Sequence, residues 1–293
     1  MRGVEEPGSW TGGTASGFAE RPGELPGLDP LSGGLGEGSP WRCPSLREIW
    51  RKSIHHLPGM HRKFILRTLL SLYGRCIVAA HGMERLSAKH DPFIVAINHS
   101  TRLEALLLPV MFALQREGRV VSFIADWNFA LIPGIATVLR AGDSILLVRK
   151  PARPAILNLF KPLFLRKGSA FEQAAVALRA GRSIGIFPEG TTNRHPKRLL
   201  RGFDGAARLS LTTGVPVVPV GIRFPGHPSH LPVRDRTPME LFVGEPLRPS
   251  ACSPEASREA VREWHGTIMT ELARLSGKSW DTGSTRRKHH GFE

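Results

Sequence analysis

The sequence predicts an α/β protein with a mostly parallel central sheet flanked by helices, preceded by a basic amphipathic helical segment. Two observations carry this expectation. From Phe93 onward, short β-rich runs alternate with longer amphipathic runs, the order that layers helices on a mostly parallel sheet. Two of those short runs also end in polar turns, where an open α/β sheet places its sites. Phe93–Ile97 runs into Asn98-His99-Ser100-Thr101-Arg102-Leu103-Glu104, and Ser183–Phe187 runs into Pro188-Glu189-Gly190-Thr191.

In chain order, residues 1–44 are expected to be a disordered Gly/Pro-rich segment. The first 40 hold 11 Gly and 5 Pro and carry −4, against +19 on the remainder, a composition that cannot bury a core. They lack a basic stretch followed by an apolar one, so they do not read as a signal peptide. Residues 45–75 read as two helical runs. Leu46, Ile49, Trp50, Ile54 and Leu57 form the first, ended by Pro58-Gly59; Phe64, Ile65, Leu69, Leu70, Leu72 and Tyr73 form the second. Seven basic residues oppose only Glu48 between Leu46 and Arg75. Basic amphipathic helices with Trp and Leu lie in a membrane interface; two helices covering the sheet is the competing reading. No stretch of about 18 apolar residues suggests a spanning helix.

Residues 76–276 are expected to form the α/β domain, with strands at 93–97, 119–124, 144–148, 183–187, 216–222 and 240–243. Helices are expected at 102–116, 169–180, 203–212 and 254–275, and a polar, basic tail, 277–293, is expected to fray. Gly181-Arg182-Ser183-Ile184-Gly185 spells the nucleophile elbow of hydrolases, which needs a strand before the serine and a helix after it. Here a helical run precedes and a strand follows, so Ser183 reads as a strand start.

Cys43, Cys76 and Cys252 are far apart and odd in number, which argues against a disulfide framework or a zinc site. No metal site is expected, the neighbouring His55, His56 and His61 included. The net charge of +15 implies an anionic partner. Nucleic acid would call for a recognisable module or interleaved aromatics, and neither is present, so an acidic lipid surface is the expectation.

His99 lies at a strand end as a candidate base, since imidazole titrates near neutral pH. Its bland reading is a histidine satisfied at that strand end. Glu104 has two readings. On a continuous helix the two residues would lie about 140° apart, so they meet only if His99 sits in the loop and Glu104 in the helix's first turn, with Ser100 or Thr101 as the cap. Alternatively, Thr101-x-x-Glu104 is a capping box. Arg149 closes the strand 144–148 as a bidentate donor or as a solvated charge, and Glu189 can be a simple turn residue.

Taken together these motifs resemble the glycerophospholipid acyltransferase family, in particular its 1-acylglycerol-3-phosphate acyltransferases. The family's His-x4-Asp reads here as His99-x4-Glu104. Its strand-closing arginine is similar to Arg149 in Gly142–Arg149, and Phe-Pro-Glu-Gly-Thr matches Phe187–Thr191. The apolar strand with prolines matches Gly214–Val220, and the likeness runs in order from about Arg75 to Leu275.

The resemblance implies acyl transfer from acyl-CoA or acyl-carrier protein to the hydroxyl of a lysophospholipid, most simply 1-acylglycerol-3-phosphate. The donor is a substrate, and no cofactor is needed. His99 would be the base and Glu104 would fix its tautomer and stabilise its imidazolium. Arg149 would hold the acceptor phosphate, with Arg194 and Arg201 behind it. Glu189, Gly190 and Thr191 would shape the acceptor site. The expected place is the cytoplasmic face of a membrane, peripheral or monotopic. Two alternatives stand beside this: a phospholipid–lysophospholipid transacylase, and a non-enzymatic lipid-binding relative with a broken dyad.

Against typical members, residues 151–168 look like an insertion. They hold seven large apolar residues, four basic ones, three prolines and no acid. The expectation is that Leu159, Phe160, Leu163 and Phe164 dip into a membrane interface while Arg153, Lys161, Arg166 and Lys167 meet anionic head groups; the competing reading packs the segment onto the core.

Overall fold

Ile94, Val95, Ala96 and Ile97 are completely buried. Ile94 and Ala96 belong to one apolar cluster, Val95 and Ile97 to the other. A strand that alternates between two cores is a central strand covered on both faces, and the sheet around it is built accordingly. The computed structural model describes residues 39–148, 151, 155–164, 167–250, 252–253 and 255–284.

Seven strands form one sheet: β1 (Ile77–His81), β2 (Ile94–Ile97), β3 (Ser122–Asp126), β4 (Ile145–Leu147), β5 (Ile184–Ile186), β6 (Val217–Arg223) and β7 (Met239–Val243). Their order is β1-β7-β6-β2-β5-β3-β4. Only the β6–β7 pairing is antiparallel; the other five are parallel. The helices are α1 (Leu46–Arg51), α2 (Met60–Tyr73), α3 (Arg102–Gln115), α4 (Pro133–Ala141), α5 (Ala170–Arg179), α6 (Gly205–Thr213) and α7 (Arg258–Ser276). Helices α1–α3 supply the cluster that holds Val95 and Ile97, and α5–α7 the one that holds Ile94 and Ala96.

The six expected strands and the four helices after Phe93 form, with ends shifted by a few residues. Two elements were not anticipated. Strand β1 is Ile-Val-Ala-Ala-His, and alanine is depleted in strands. Helix α4 begins at Pro133-Gly134, a dipeptide that reads as a turn, although Pro at the first helical position needs no N–H partner.

The first helical run is shorter than its periodicity suggests. Helix α1 stops at Arg51, and Ile54 and Leu57 are buried in the turns beyond it. Ile49, Leu66 and Leu70 also pack inward, whereas Leu46, Trp50, Met60, Phe64 and Leu72 face out. Upstream, Trp41 exchanges both backbone hydrogen bonds with Ala80 of β1, each at 2.8 Å.

The expectation that the chain frays after Ser276 is corrected at 277–284. Gly277 adopts the left-handed conformation at φ 66°, and the Lys278 N–H bonds back to the Ala273 carbonyl at 3.1 Å. This is the Schellman reversal that glycine permits. Ser279 then pairs with Lys197 and Leu199, and the Trp280 indole donates to the Arg201 carbonyl. The approach of α7 to β6 depends on Gly221, where a Cβ would lie 2.2 Å from the Leu275 carbonyl carbon. Among the described residues no helix is long and apolar enough to cross a membrane.

Candidate active site

Strands β2, β3, β4, β5 and β6 run in one direction, so their C-terminal ends share an edge. Asn98 extends the β2–β6 ladder with its side chain, accepting from Ile222 N at 2.6 Å and donating to Ile222 O at 3.3 Å. His99 follows. Its N–H donates to Glu189 Oε1 at 3.0 Å and its carbonyl accepts from Asn193 N at 2.6 Å. Its ring stacks on Phe187 at 4.4 Å. The loop after β5 thus fixes both backbone groups and one face of the imidazole.

Residues 99–101 are outside the helix, and Thr101 is extended at φ −132°, ψ 156°. That conformation cancels the 140° offset. His99 Nδ1 lies 3.0 Å from Glu104 Oε2, and the Ser100 N–H donates to the same oxygen at 2.8 Å. The capping-box reading does not hold at this helix. Ser45/Glu48 and Ser169/Glu172 form reciprocal boxes, but Thr101 makes no side-chain cap bond. Glu104 is spent on His99 and Ser100. The first N–H of α3, that of Arg102, donates to Asp235 at 3.0 Å. Glu104 is completely buried and sits in the first turn of α3, where the helix dipole favours an anion.

His99 Nε2 faces the other way, 3.4 Å from Thr192 Oγ1. A carboxylate on Nδ1 leaves Nε2 as the proton acceptor. The arrangement can therefore take a proton from a hydroxyl placed near Thr192.

Glu189 is buried, and its carboxylate accepts from three donors: His99 N, Leu200 N at 2.9 Å and Asn193 Nδ2 at 2.6 Å. Burial raises its pKa; Lys278 and these hydrogen bonds pull the other way without overcoming it. Gly190 turns at φ 65°, where a Cβ would strike the Phe203 ring at 2.5 Å. Thr191 is half-buried beside it. Arg194 donates to Val233 O at 3.1 Å and to Asp235 at 3.0 Å, which ties it to the N-terminus of α3. Arg201 is exposed, and its carbonyl accepts from His265 and Trp280. Arg149 lies outside the described residues.

Two contributors were missed in the sequence. Thr192 stands next to a residue that was chosen, so the motif itself pointed to it. Lys278 left no local signal. It is buried and donates to Ser100 Oγ at 2.7 Å and His195 O at 2.9 Å. Burial lowers its pKa, and Glu189 and then Glu104 act against that shift. Ser183, the false elbow, directly precedes β5, with its hydroxyl bonded to Phe93 N and Asp91. Among the described residues, the grouping close enough to chelate a metal is His55, His56 and Glu117, all exposed. It lies at the far end of α3 from Glu104, ~20 Å along the helix axis.

A buried histidine–carboxylate pair at the C-terminal edge of a mostly parallel α/β sheet is an acid–base site at the place where such sheets carry their sites. The family model described as Acyltransferase matches residues 77–223, about half of the chain, and the chain belongs to that family. A chloroplastic 1-acyl-sn-glycerol-3-phosphate acyltransferase of Brassica napus is 24% identical over 181 residues, 62% of this chain and 46% of that one. A 1-acyl-sn-glycerol-3-phosphate acyltransferase of Borreliella burgdorferi is 29% identical over 140 residues, 47% of this chain and 48% of that one. The chain spans about half the length of the curated relatives it matches. A crystal structure of a 1-acyl-sn-glycerophosphate acyltransferase, PlsC, from Thermotoga maritima aligns over 80% of this chain and 81% of that one. Its TM-score is 0.48 and its sequence identity 24%.

Proposed function

We propose that this chain moves a fatty acyl group from a thioester, acyl-CoA or acyl-carrier protein, to the free hydroxyl of 1-acylglycerol-3-phosphate, giving phosphatidic acid. The observation that carries the reading is the His99 ring, held on Nδ1 by a fully buried carboxylate at 3.0 Å, with Nε2 facing a hydroxyl. Nε2 takes the proton of the acceptor hydroxyl as its oxygen attacks the thioester carbonyl. Collapse of the tetrahedral intermediate breaks the C–S bond, and the imidazolium returns its proton to the leaving thiolate. Glu104 stabilises the imidazolium in between.

Arg149 grips the acceptor phosphate in this reading, with Arg194 and Arg201 in support. Gly190 and Thr191 border the acceptor, and Glu189 acts through the backbone it holds. Residues 45–75 rest on the cytoplasmic face of a membrane and 76–276 perform the transfer. The acceptor class is supported by the names that the two curated relatives carry. The test is to incubate purified protein with radiolabelled acyl-CoA and a panel of lysolipids and to resolve the products. Labelled phosphatidic acid as the dominant product supports the reading. A parallel assay without thioester supplies acyl-labelled phospholipid as donor: product in that arm alone identifies a transacylase, and no transfer from either donor sinks the enzyme reading.

A further inference from the structure

The segment Ala155–Phe164 folds as a 3-10 helix with no buried residue. Ile156, Leu159 and Leu163 are 68%, 76% and 77% exposed, and Phe160 is 49% exposed. Its last residue, Phe164, meets the Trp127 ring at 5.6 Å. Trp127 is fully buried and directly follows β3, so this contact anchors the segment at the sheet edge that carries His99. The turn that Trp127 begins adds Phe129 and Ile132, 48% and 47% exposed. The core-packing alternative for this segment therefore does not hold. Six large apolar side chains stand in water at the active-site edge, and an exposed apolar surface of that extent marks an interaction site.

Charge selects the occupant. Between Asp143 and Glu172 the chain carries Arg149, Lys150, Arg153, Lys161, Arg166 and Lys167, and no acidic residue. Two copies of so basic a segment repel each other, whereas anionic head groups above an apolar layer satisfy both halves of its chemistry. Resting on the acyl-transfer reading, we infer that Ala155–Phe164 and the Phe129–Ile132 turn form a docking lip that seats this edge on an anionic bilayer. A lysolipid could then pass to His99 without fully entering water.

The test compares wild type with Leu159→Ser/Leu163→Ser and, as a second variant less exposed to misfolding, Lys161→Glu/Lys167→Glu. Co-sedimentation uses vesicles of phosphatidylcholine with phosphatidylglycerol, and of phosphatidylcholine alone. Wild type is expected to bind the anionic vesicles. Each variant should bind them about tenfold less, for loss of apolar burial or of head-group attraction, at unchanged Tm. Transfer to vesicle-embedded lysophosphatidate should fall, while transfer to a short-chain, water-soluble one is kept. Unchanged vesicle binding in both variants overturns the lip. So does a dimer of the wild type that both variants dissolve, since the face would then belong to a second copy. If wild type acylates neither acceptor, the acyl-transfer reading fails, and vesicle binding still decides the docking surface.

Discussion

Lys278 donates to Ser100 at 2.7 Å across 178 residues of sequence, bringing a buried cation to the residue between His99 and the rest of the loop. Glu104 and Glu189 are the carboxylates it feels. Replacing Lys278 with Met removes its hydrogen bonds to Ser100 and His195 and leaves those buried acceptors without that donor, at about 1–3 kcal/mol each. The variant should melt lower. If it folds, its activity should also fall off on acidification from a higher pH, because the Lys278 charge holds the Glu189 pKa down and removing that charge lets it rise. A Tm drop with an unmoved pH–activity profile would make Lys278 a purely structural tie.

Glu104→Gln preserves shape and one acceptor for the Ser100 N–H, but cannot balance an imidazolium. We expect kcat to fall by roughly 10²–10⁴ with KM and Tm little changed, measured by steady-state transfer. Wild-type turnover would leave Glu104 a role only in holding the loop.

Arg149→Lys keeps the charge and loses the two-pronged geometry. The expected result is a raised KM for a phosphate-bearing acceptor, with donor KM and Tm unaffected. An unaltered acceptor KM would return Arg149 to the class of solvated strand-end charges.

Glu189 yields a prediction with a definite sign. Burial raises its pKa above the ordinary carboxylate value of 4.5, so between that value and the raised one the folded state holds a proton that the unfolded state has released. Its contribution to stability is then fully present below 4.5 and is lost as pH rises through the folded pKa. Relative to Glu189→Gln, wild type should gain stability on acidification across that window, read as the difference in Tm against pH. Activity should move the opposite way, since a protonated Glu189 holds the His99 and Leu200 N–H groups less well. A flat difference would mean that the charge is fully compensated in the fold.

The central strands, the helices α3 and α5–α7 and the His99–Glu104 pair were legible because they are local. Apolar runs such as Ile94–Ile97 and Val217–Val220 carry their own strand signal, and five residues of sequence hold both members of the dyad. The deciding choice at Glu104 was not local. Its capping pattern is shared with Ser45/Glu48 and Ser169/Glu172, which do form boxes. What differs at α3 is the His99 ring beside Glu104, which the loop after β5 holds through Glu189, Asn193 and Phe187, some 90 residues away and invisible to a short window. Lys278 was lost the same way: a lysine after a helix reads as solvated until the Gly277 reversal turns it onto Ser100 and His195.

That reversal depends on how closely α7 lies on β6, and Gly221 sets the distance. A Cβ there would meet Leu275 C at 2.2 Å and Ser276 N at 2.3 Å. Both are backbone atoms at the end of the helix, so no rotamer change can relieve the clash. Gly221→Ala must push the C-terminal turn of α7 away, straining the bonds that Arg223 makes to the Leu275 and Arg274 carbonyls and moving Lys278 from Ser100. Overpacking of this kind costs about 1–3 kcal/mol, occasionally more. We expect a lowered Tm together with the alkaline displacement of the acid limb predicted for Lys278→Met, although Lys278 itself is intact. A variant with lowered Tm and a wild-type pH profile would show that the helix end and the active site are not mechanically coupled.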